Sequence, residues 1–380
     1  MLRSVGPVNE SVGGVATAMP ISASGAIFWN PASISALDKN SIEIGVGLIQ
    51  PHSRTAYTNA DLNINDSRKS QAGITPVPSM SFVWRKNRQS PFTYGVGLAG
   101  VGGASALYPY TGGADDFLAK SSNVIVMQIT PTVSAQITKQ WSVGIAPIVD
   151  LASLNINPMP LGGSVATPLA SYGTRYAWGG GFQVGTYYDF QNHFKAGFMV
   201  KSPIWTEELQ FTGVNASGQS DARSFDMDLP LTLSAGIAYD GFKNTIIGVD
   251  LRYFDYAHTA GFKNGLTGFN VDGLAWDSVV AVAVGAEHAF TNKIKGRIGY
   301  CFNENPIPGR SSVLNVAAPL MIQHVLSFGF GYTFAKDLEL SASYCHAFKS
   351  SITGPAMLAP GNITNEVSAD TGSIGITKKW

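Results

Sequence analysis

His324-Val325-Leu326-Ser327-Phe328-Gly329-Phe330-Gly331-Tyr332-Thr333-Phe334 alternates strictly. Leu326, Phe328, Phe330, Tyr332 and Phe334 fall on one face, and Ser327, Gly329, Gly331 and Thr333 on the other. Successive side chains of a strand point to opposite faces, so this segment is a strand with one greasy and one small or polar side. The pattern repeats along the chain. Ile125, Met127, Ile129, Val133, Ala135 and Ile137 oppose Gln128, Thr130, Thr132, Ser134, Gln136 and Thr138. Leu229, Leu231, Leu233, Ala235, Ile237 and Tyr239 oppose Thr232, Ser234, Gly236 and Asp240. A wall that meets lipid on one side and a packed or wet lumen on the other has this signature.

Working outward, strands are expected at 41–58, 73–86, 91–104, 123–139, 141–157, 174–190, 193–212, 226–240, 244–259, 276–291, 293–302, 322–335, 337–350 and 366–380. Their number is even, as a single-chain bacterial outer-membrane barrel requires. Tight connections such as Gln191–Asn192 and Gly241–Lys243 alternate with long ones at 59–72, 105–122, 158–173, 213–225, 260–275, 303–321 and 351–365. Short turns on one side and long loops on the other belong to the same architecture. The fold expected is all-β: a 14-stranded antiparallel transmembrane β-barrel over residues 40–380. Residues 1–39 are small, rich in Gly, Ala and Ser, and lack alternation. They are read as an N-terminal plug, or hatch, inside the lumen. The short turns lie on the side of residue 40, so the plug enters from the periplasm.

Composition agrees. Charged residues make up 13% of the chain, about half the usual 25%. The 42 Gly, 20 Phe, 14 Tyr and 7 Trp suit a chain that is apolar at every second position. The charge-free stretch 89–114 is long enough for a membrane helix, but its glycines and prolines and the alternation of Phe92, Tyr94, Val96 and Leu98 point to a strand. Net charge is zero, which gives a nucleic-acid partner no electrostatic support. Cys301 and Cys345 match no metal spacing and no disulfide-rich scaffold. No secretion signal precedes Ser4, so an outer-membrane location implies a signal peptide absent from the numbered chain.

Charges on the strands fall by parity on the polar face: Glu43, Arg85, Asp150, Arg175, Lys195, Lys201, Asp250, Arg252, Glu287, Lys295, Arg297, Glu339 and Lys349. A lipid-facing charge costs about 2–4 kcal/mol at mid-depth, so these are expected to point inward and pair. Arg297 and Glu287 fall opposite each other if the hairpin at Asn292 is symmetric. Trp29, Trp84, Trp141, Trp178, Trp205, Trp276 and Trp380 mostly lie near expected strand ends, where interfacial girdles form.

Gly13-Gly14-Val15-Ala16-Thr17-Ala18, followed by Ser24-Gly25-Ala26-Ile27-Phe28-Trp29-Asn30-Pro31-Ala32-Ser33, resembles the hatch of the FadL/TodX outer-membrane transporters of hydrophobic compounds. Members show a small-residue segment, then Asn-Pro-Ala, then the first barrel strand. Here the tripeptide is Asn30, Pro31 and Ala32, and the chain ends on an alternating run closed by Trp380. The resemblance implies a monomeric barrel taking up fatty acids, hydrocarbons or similar amphiphiles, detergent included. It implies a ligand pocket between hatch and wall. It also implies lateral release through a gap at an inward kink of the third strand. Met19, Ile21, Ile27 and Phe28 are the candidates for the pocket lining, with plain hatch packing as their other possible role. Asn30 is read as bracing the turn before Pro31. In the third strand Gly100, Gly102 and Gly103 supply what a kink needs, since glycine clusters weaken pairing and permit bends. Loop 158–173 is short where larger members carry a greasy outer landing groove, leaving Val165, Pro168 and Leu169 for a reduced version.

No cofactor is implied, and His193, His288, His324 and His346 stand in no nucleophile or metal motif. The expectation is a non-enzymatic channel in contact with outer-membrane lipid and lipopolysaccharide. A non-specific porin and a structural or docking barrel remain as alternatives. A fatty-acid ligand would favour a base near the pocket, with Lys195, Lys201, Arg175 and Arg85 as candidates, whereas a hydrocarbon needs none.

Overall fold

The computed structural model describes residues 4–87, 89–109, 120–158, 161–164, 169–171, 173–215, 217–267, 270–356 and 360–380. The wall is made of β1 Ser41–Asn59, β2 Thr75–Trp84, β3 Phe92–Tyr108, β4 Lys120–Gln136, β5 Trp141–Asn157, β6 Arg175–Asp189 and β7 Phe194–Lys201. It continues through β8 Thr232–Phe242, β9 Thr245–Phe254, β10 Val279–Ala289, β11 Ile294–Asn303, β12 His324–Ala335, β13 Leu338–Pro355 and β14 Asn362–Lys379. Each pairs antiparallel with the next. β14 closes on β1 from Ser41↔Lys379 to Thr58↔Asn362. The result is the closed 14-stranded barrel that the alternation implies. Phe328, Phe330, Tyr332 and Phe334 are exposed on its outer face, while Ser327 is buried on the inner one.

Several boundaries differ from the sequence reading, for local reasons. β7 stops at Lys201 instead of reaching residue 212, because Pro203 has no N–H for the ladder. Trp205–Thr206 then re-pairs with β6 at Gly180 and Gly179. Leu209–Val214 leaves the wall for a small outer sheet with Ser220–Phe225 and Ala170–Ser171. Residues 59–72, read as a loop, contain strand Ile64–Lys69, which pairs with Arg54–Asn59 of β1. β13 and β14 run further outward than expected, to Pro355↔Asn362.

The N-terminal segment fills the lumen with two short helices, Gly6–Ser11 and Ala23–Trp29, and a 3₁₀ turn, Pro31–Ala36. The open N–H groups at the start of the second helix are satisfied in two ways. Ser22 Oγ accepts from Gly25 N at 3.0 Å. The Glu43 carboxylate, on β1, accepts from Ala23 N at 2.6 Å and Ser24 N at 3.0 Å. Thus the wall itself caps a hatch helix.

Candidate functional site

The hatch is pressed onto inward-facing glycines of the wall. A Cβ on Gly248 would lie 2.8 Å from Val15 Cγ1, and one on Gly45 would lie 2.9 Å from Pro7 Cδ. On Gly197 it would overlap Thr17 O, on Gly185 it would overlap Asn30 Oδ1, and on Gly144 it would overlap the Pro31–Ala32 peptide. Such approaches leave no room for any side chain, which is why the inner face reads small in the sequence. The Asn-Pro-Ala tripeptide docks here. Asn30 Nδ2 donates to Thr17 O at 2.7 Å and Thr186 O at 3.0 Å, and its Oδ1 caps the 3₁₀ turn through Ala32 N at 3.1 Å. Ser134 Oγ, from β4, donates to Ala32 O at 2.9 Å.

Buried charges of the wall hold the other half of the hatch. Asp250 Oδ2 accepts from Ala16 N at 2.9 Å, Thr17 N at 3.1 Å and Thr17 Oγ1 at 2.9 Å. Arg252 Nη2 lies 2.9 Å from the same carboxylate and donates to Gly14 O. Its guanidinium stacks 3.4 Å from the centroid of Trp29. Glu10, on the hatch, accepts from Ser343 Oγ at 3.1 Å and Ser373 Oγ at 2.5 Å. Nearer the periplasmic turns, Arg297 Nε meets Glu287 Oε2 at 2.6 Å, its Nη2 meets Glu339 Oε1 at 2.6 Å, and the pair Glu287↔Arg297 is in register. The Arg297 side chain is 1% exposed. Lys349 departs from the inward set. The ladder shifts between Ala347 and Ser350, which reverses the parity, and Lys349 points outward to Glu366.

Between the hatch and the outer loops lie two adjoining cavities, of about 1280 and 1950 Å³ with their mouths included. The smaller is almost wholly apolar, walled by side chains such as Leu154, Ile156, Phe225, Met227 and Phe262. Trp29 and Lys201 are among its lining. The roof is the connection 304–323, whose sequence shows no alternation and reads as a long loop. It folds into the barrel mouth, so that Leu314, Val316, Ala317 and Met321 are buried. Trp276 Nε1 holds it through Asn315 Oδ1 at 2.7 Å, and Ser122 Oγ donates to Ala317 O.

The larger cavity reaches the wall at β3. The β2–β3 ladder runs from Trp84↔Tyr94 only to Ser79↔Ala99. Beyond it, Thr75-Pro76-Val77-Pro78 of β2 faces no β3 partner, and Pro76 and Pro78 lack the N–H a ladder needs. On the β4 side the register shifts between Gly100 and Gly102. Gly100, Gly102 and Gly103 all line the larger cavity, together with Pro76, Val77 and Pro78.

The four hatch residues singled out from sequence sit elsewhere. Met19, Ile27 and Phe28 are fully buried against the wall, Ile21 packs beside them in part, and none lines either large cavity. A Cβ on Gly97 of β3 would lie 2.5 Å from Phe28 Cε2. The hatch side chain that does line the smaller cavity is Trp29, which the sequence reading did not single out for the pocket. Of the four candidate bases, Lys201 lines this cavity. Arg85 bonds Ser35 O and Thr93 Oγ1, Arg175 bonds Gln210 O, and Lys195 pairs with Asp240. Leu169 is buried, and Val165 and Pro168 lie outside the described residues.

The chain matches the family described as outer membrane protein transport protein (OMPP1/FadL/TodX) over residues 8–371. Its structure is similar to that of the P. putida toluene transporter TodX, with a TM-score of 0.78 at 17% identity, over 100% of this chain and 99% of that one. It is also similar to the Ralstonia pickettii toluene transporter TbuX, at 0.74 and 16% over 100% and 99% of the two chains. A Pseudomonas aeruginosa FadL homologue gives 0.76 and 13%, again over 100% and 99%. No curated protein matches the chain by sequence.

Proposed function

Because the chain belongs to the OMPP1/FadL/TodX family of bacterial outer-membrane transport proteins, we propose that it is a passive uptake channel for hydrophobic small molecules, fatty acids or aromatic hydrocarbons. It works as a single chain set in outer-membrane lipid and lipopolysaccharide, and it catalyses no reaction. The ligand rests in the apolar cavity above Trp29, under the roof formed by 304–323. It leaves sideways into the bilayer beside Gly100, Gly102 and Gly103. The observation that carries this reading is the β2–β3 ladder, which ends at Ser79↔Ala99 where the larger cavity meets the wall. The physical reason is the fate of apolar surface. A downward exit would expose the ligand to water at about 25 cal/mol per Å², whereas a sideways exit keeps it in hydrocarbon. The wall charges and glycines that grip the hatch also argue against its departure as the route.

Replacing Gly102 and Gly103 together with valine tests the route, since β-branched residues favour regular pairing. A Cβ on Gly102 would meet Val126 Cγ2 at an ordinary 3.5 Å, while one on Gly103 would lie 3.1 Å from Val124 O, so a heat-modifiability gel first confirms that the double variant is folded. Uptake of toluene and of a long-chain fatty acid by whole cells is expected to fall several-fold, with the barrel still folded and inserted. Unchanged uptake would leave the lateral route without support. The two ligands also address Lys201. A carboxylate gains from that ammonium, so preference for the fatty acid points to Lys201 as its anchor, and preference for toluene points to the aromatic walls.

A further inference from the structure

We infer that Val101 and Leu320 form a partition between the two cavities and set the largest cross-section that the channel passes. The inference rests on the lateral-uptake reading above. Val101 is the extra residue of the β3 bulge: Met127 pairs with Gly100 and Val126 with Gly102, so Val101 has no partner on β4. A bulge of this kind re-aims side chains. Before it, Val96 and Leu98 are exposed at even positions; after it, Leu107 is exposed at an odd one. Val101 therefore turns into the lumen and is 5% exposed. It lines both cavities.

The neighbours on β3 that also line both cavities are Gly102, Gly103 and Ala104, which contribute at most a methyl group. Val101 supplies the bulk of the β3 side of the divide. From the roof, Leu320 lines both cavities as well. The aromatic members of the divide are fixed. Trp276 is tied to Asn315, and Phe254 stacks on Tyr256 with centroids 6.2 Å apart. A ligand moving from the holding cavity towards the wall must therefore pass Val101 on the bulge and Leu320 on the roof, beside Val124 of β4, which also lines both cavities. Their combined size decides what fits.

The test compares a flat monoaromatic with a bulky polycycle. Whole-cell uptake of radiolabelled toluene and pyrene is measured against cells lacking the protein. In the double variant V101A/L320A the pyrene-to-toluene ratio is expected to rise several-fold; in V101F it is expected to fall, with toluene uptake itself reduced. A heat-modifiability gel confirms that each barrel is folded. An unchanged ratio in both folded variants overturns the partition. The outcome is separable from failure of the lateral route. If the Gly102/Gly103 double valine variant stops uptake while V101A/L320A leaves the ratio unmoved, the route stands and the partition falls. If the double valine variant has no effect, the route itself falls.

Discussion

Gly197 on β7 and Gly102 on β3 both line the lumen, yet a Cβ added to each meets opposite surroundings. At Gly197 it would run into the Thr17 carbonyl and come within 2.8 Å of Asn30 Nδ2. At Gly102 the nearest atom is Val126 Cγ2 at 3.5 Å, an ordinary contact. The same residue type serves close backbone approach on one side and ordinary side-chain contact on the other. On the hatch-facing arc, glycine lets two backbones touch, and buried charges finish the bond. On the β3 arc, glycine stands where the β2–β3 ladder ends and prolines have already removed ladder donors. One arc is built to hold and the other to let pass. The difference cannot be read from composition, because both arcs look small in the sequence.

The largest effect is expected on the holding arc. Asp250→Ala removes the acceptor of Ala16 N, Thr17 N and Thr17 Oγ1 and takes the carboxylate away from Arg252. Breaking a buried ion pair by deleting one partner typically costs about 3–5 kcal/mol. Urea unfolding in detergent micelles should show a loss of that order. A loss under about 1 kcal/mol would mean that water or local rearrangement compensates the network, and that the hatch is held mainly by shape.

Shape is tested next. Gly197→Val forces atoms into space occupied by the hatch backbone, and overpacking of this kind costs about 1–3 kcal/mol or more. Limited proteolysis should then release the N-terminal segment while the wall stays resistant. The single Gly102→Val is the matched control, with expected change within about 0.5 kcal/mol. Equal destabilisation by the two valines would erase the distinction between the arcs.

What the sequence made legible follows from period and pattern. The alternation of the wall strands is a local property, and they close into the 14-stranded barrel it implies, apart from the boundary shifts at β7, β13 and β14. Single-residue insertions were not legible. The bulges at Val101 and between Ala347 and Ser350 reverse the parity of everything beyond them, so Lys349 came out on the wrong face. Trp29 belongs to the hatch motif, but nothing in the sequence tells that its side chain meets the ligand cavity rather than the hatch packing. In three dimensions it caps the hatch beneath Arg252 and lines the cavity. The roof 304–323 carries no alternation. Pro203, which ends β7, and Pro76 and Pro78, which flank the gap, were visible in the sequence and were the signals to weigh.

The smallest effect tests the rim of the holding arc. Lys39 follows the 3₁₀ turn of the hatch, and its ammonium lies 2.5 Å from Asp337 Oδ1 in the turn after β12. Both side chains are solvent-accessible, at 45% and 22% exposure. The hydrogen bond from Lys39 holds the Asp337 carboxyl below its ordinary range. A carboxylate depressed in the folded state stabilises above its unfolded titration range and stops doing so as pH falls through the folded value. The contribution is therefore present at neutral pH and lost in acid. It is also screened, since exposed charges weaken steeply with salt. Lys39→Ala should leave the urea midpoint unmoved at pH 7 in 0.15 M salt. Any difference from the parent should open only at low salt and close again in acid. If Lys39→Ala instead released the hatch to protease as readily as Gly197→Val, the segment would be held at its periplasmic rim. The glycine arc would then be a surface the hatch merely rests on, and the contrast with β3 would lose its mechanical meaning.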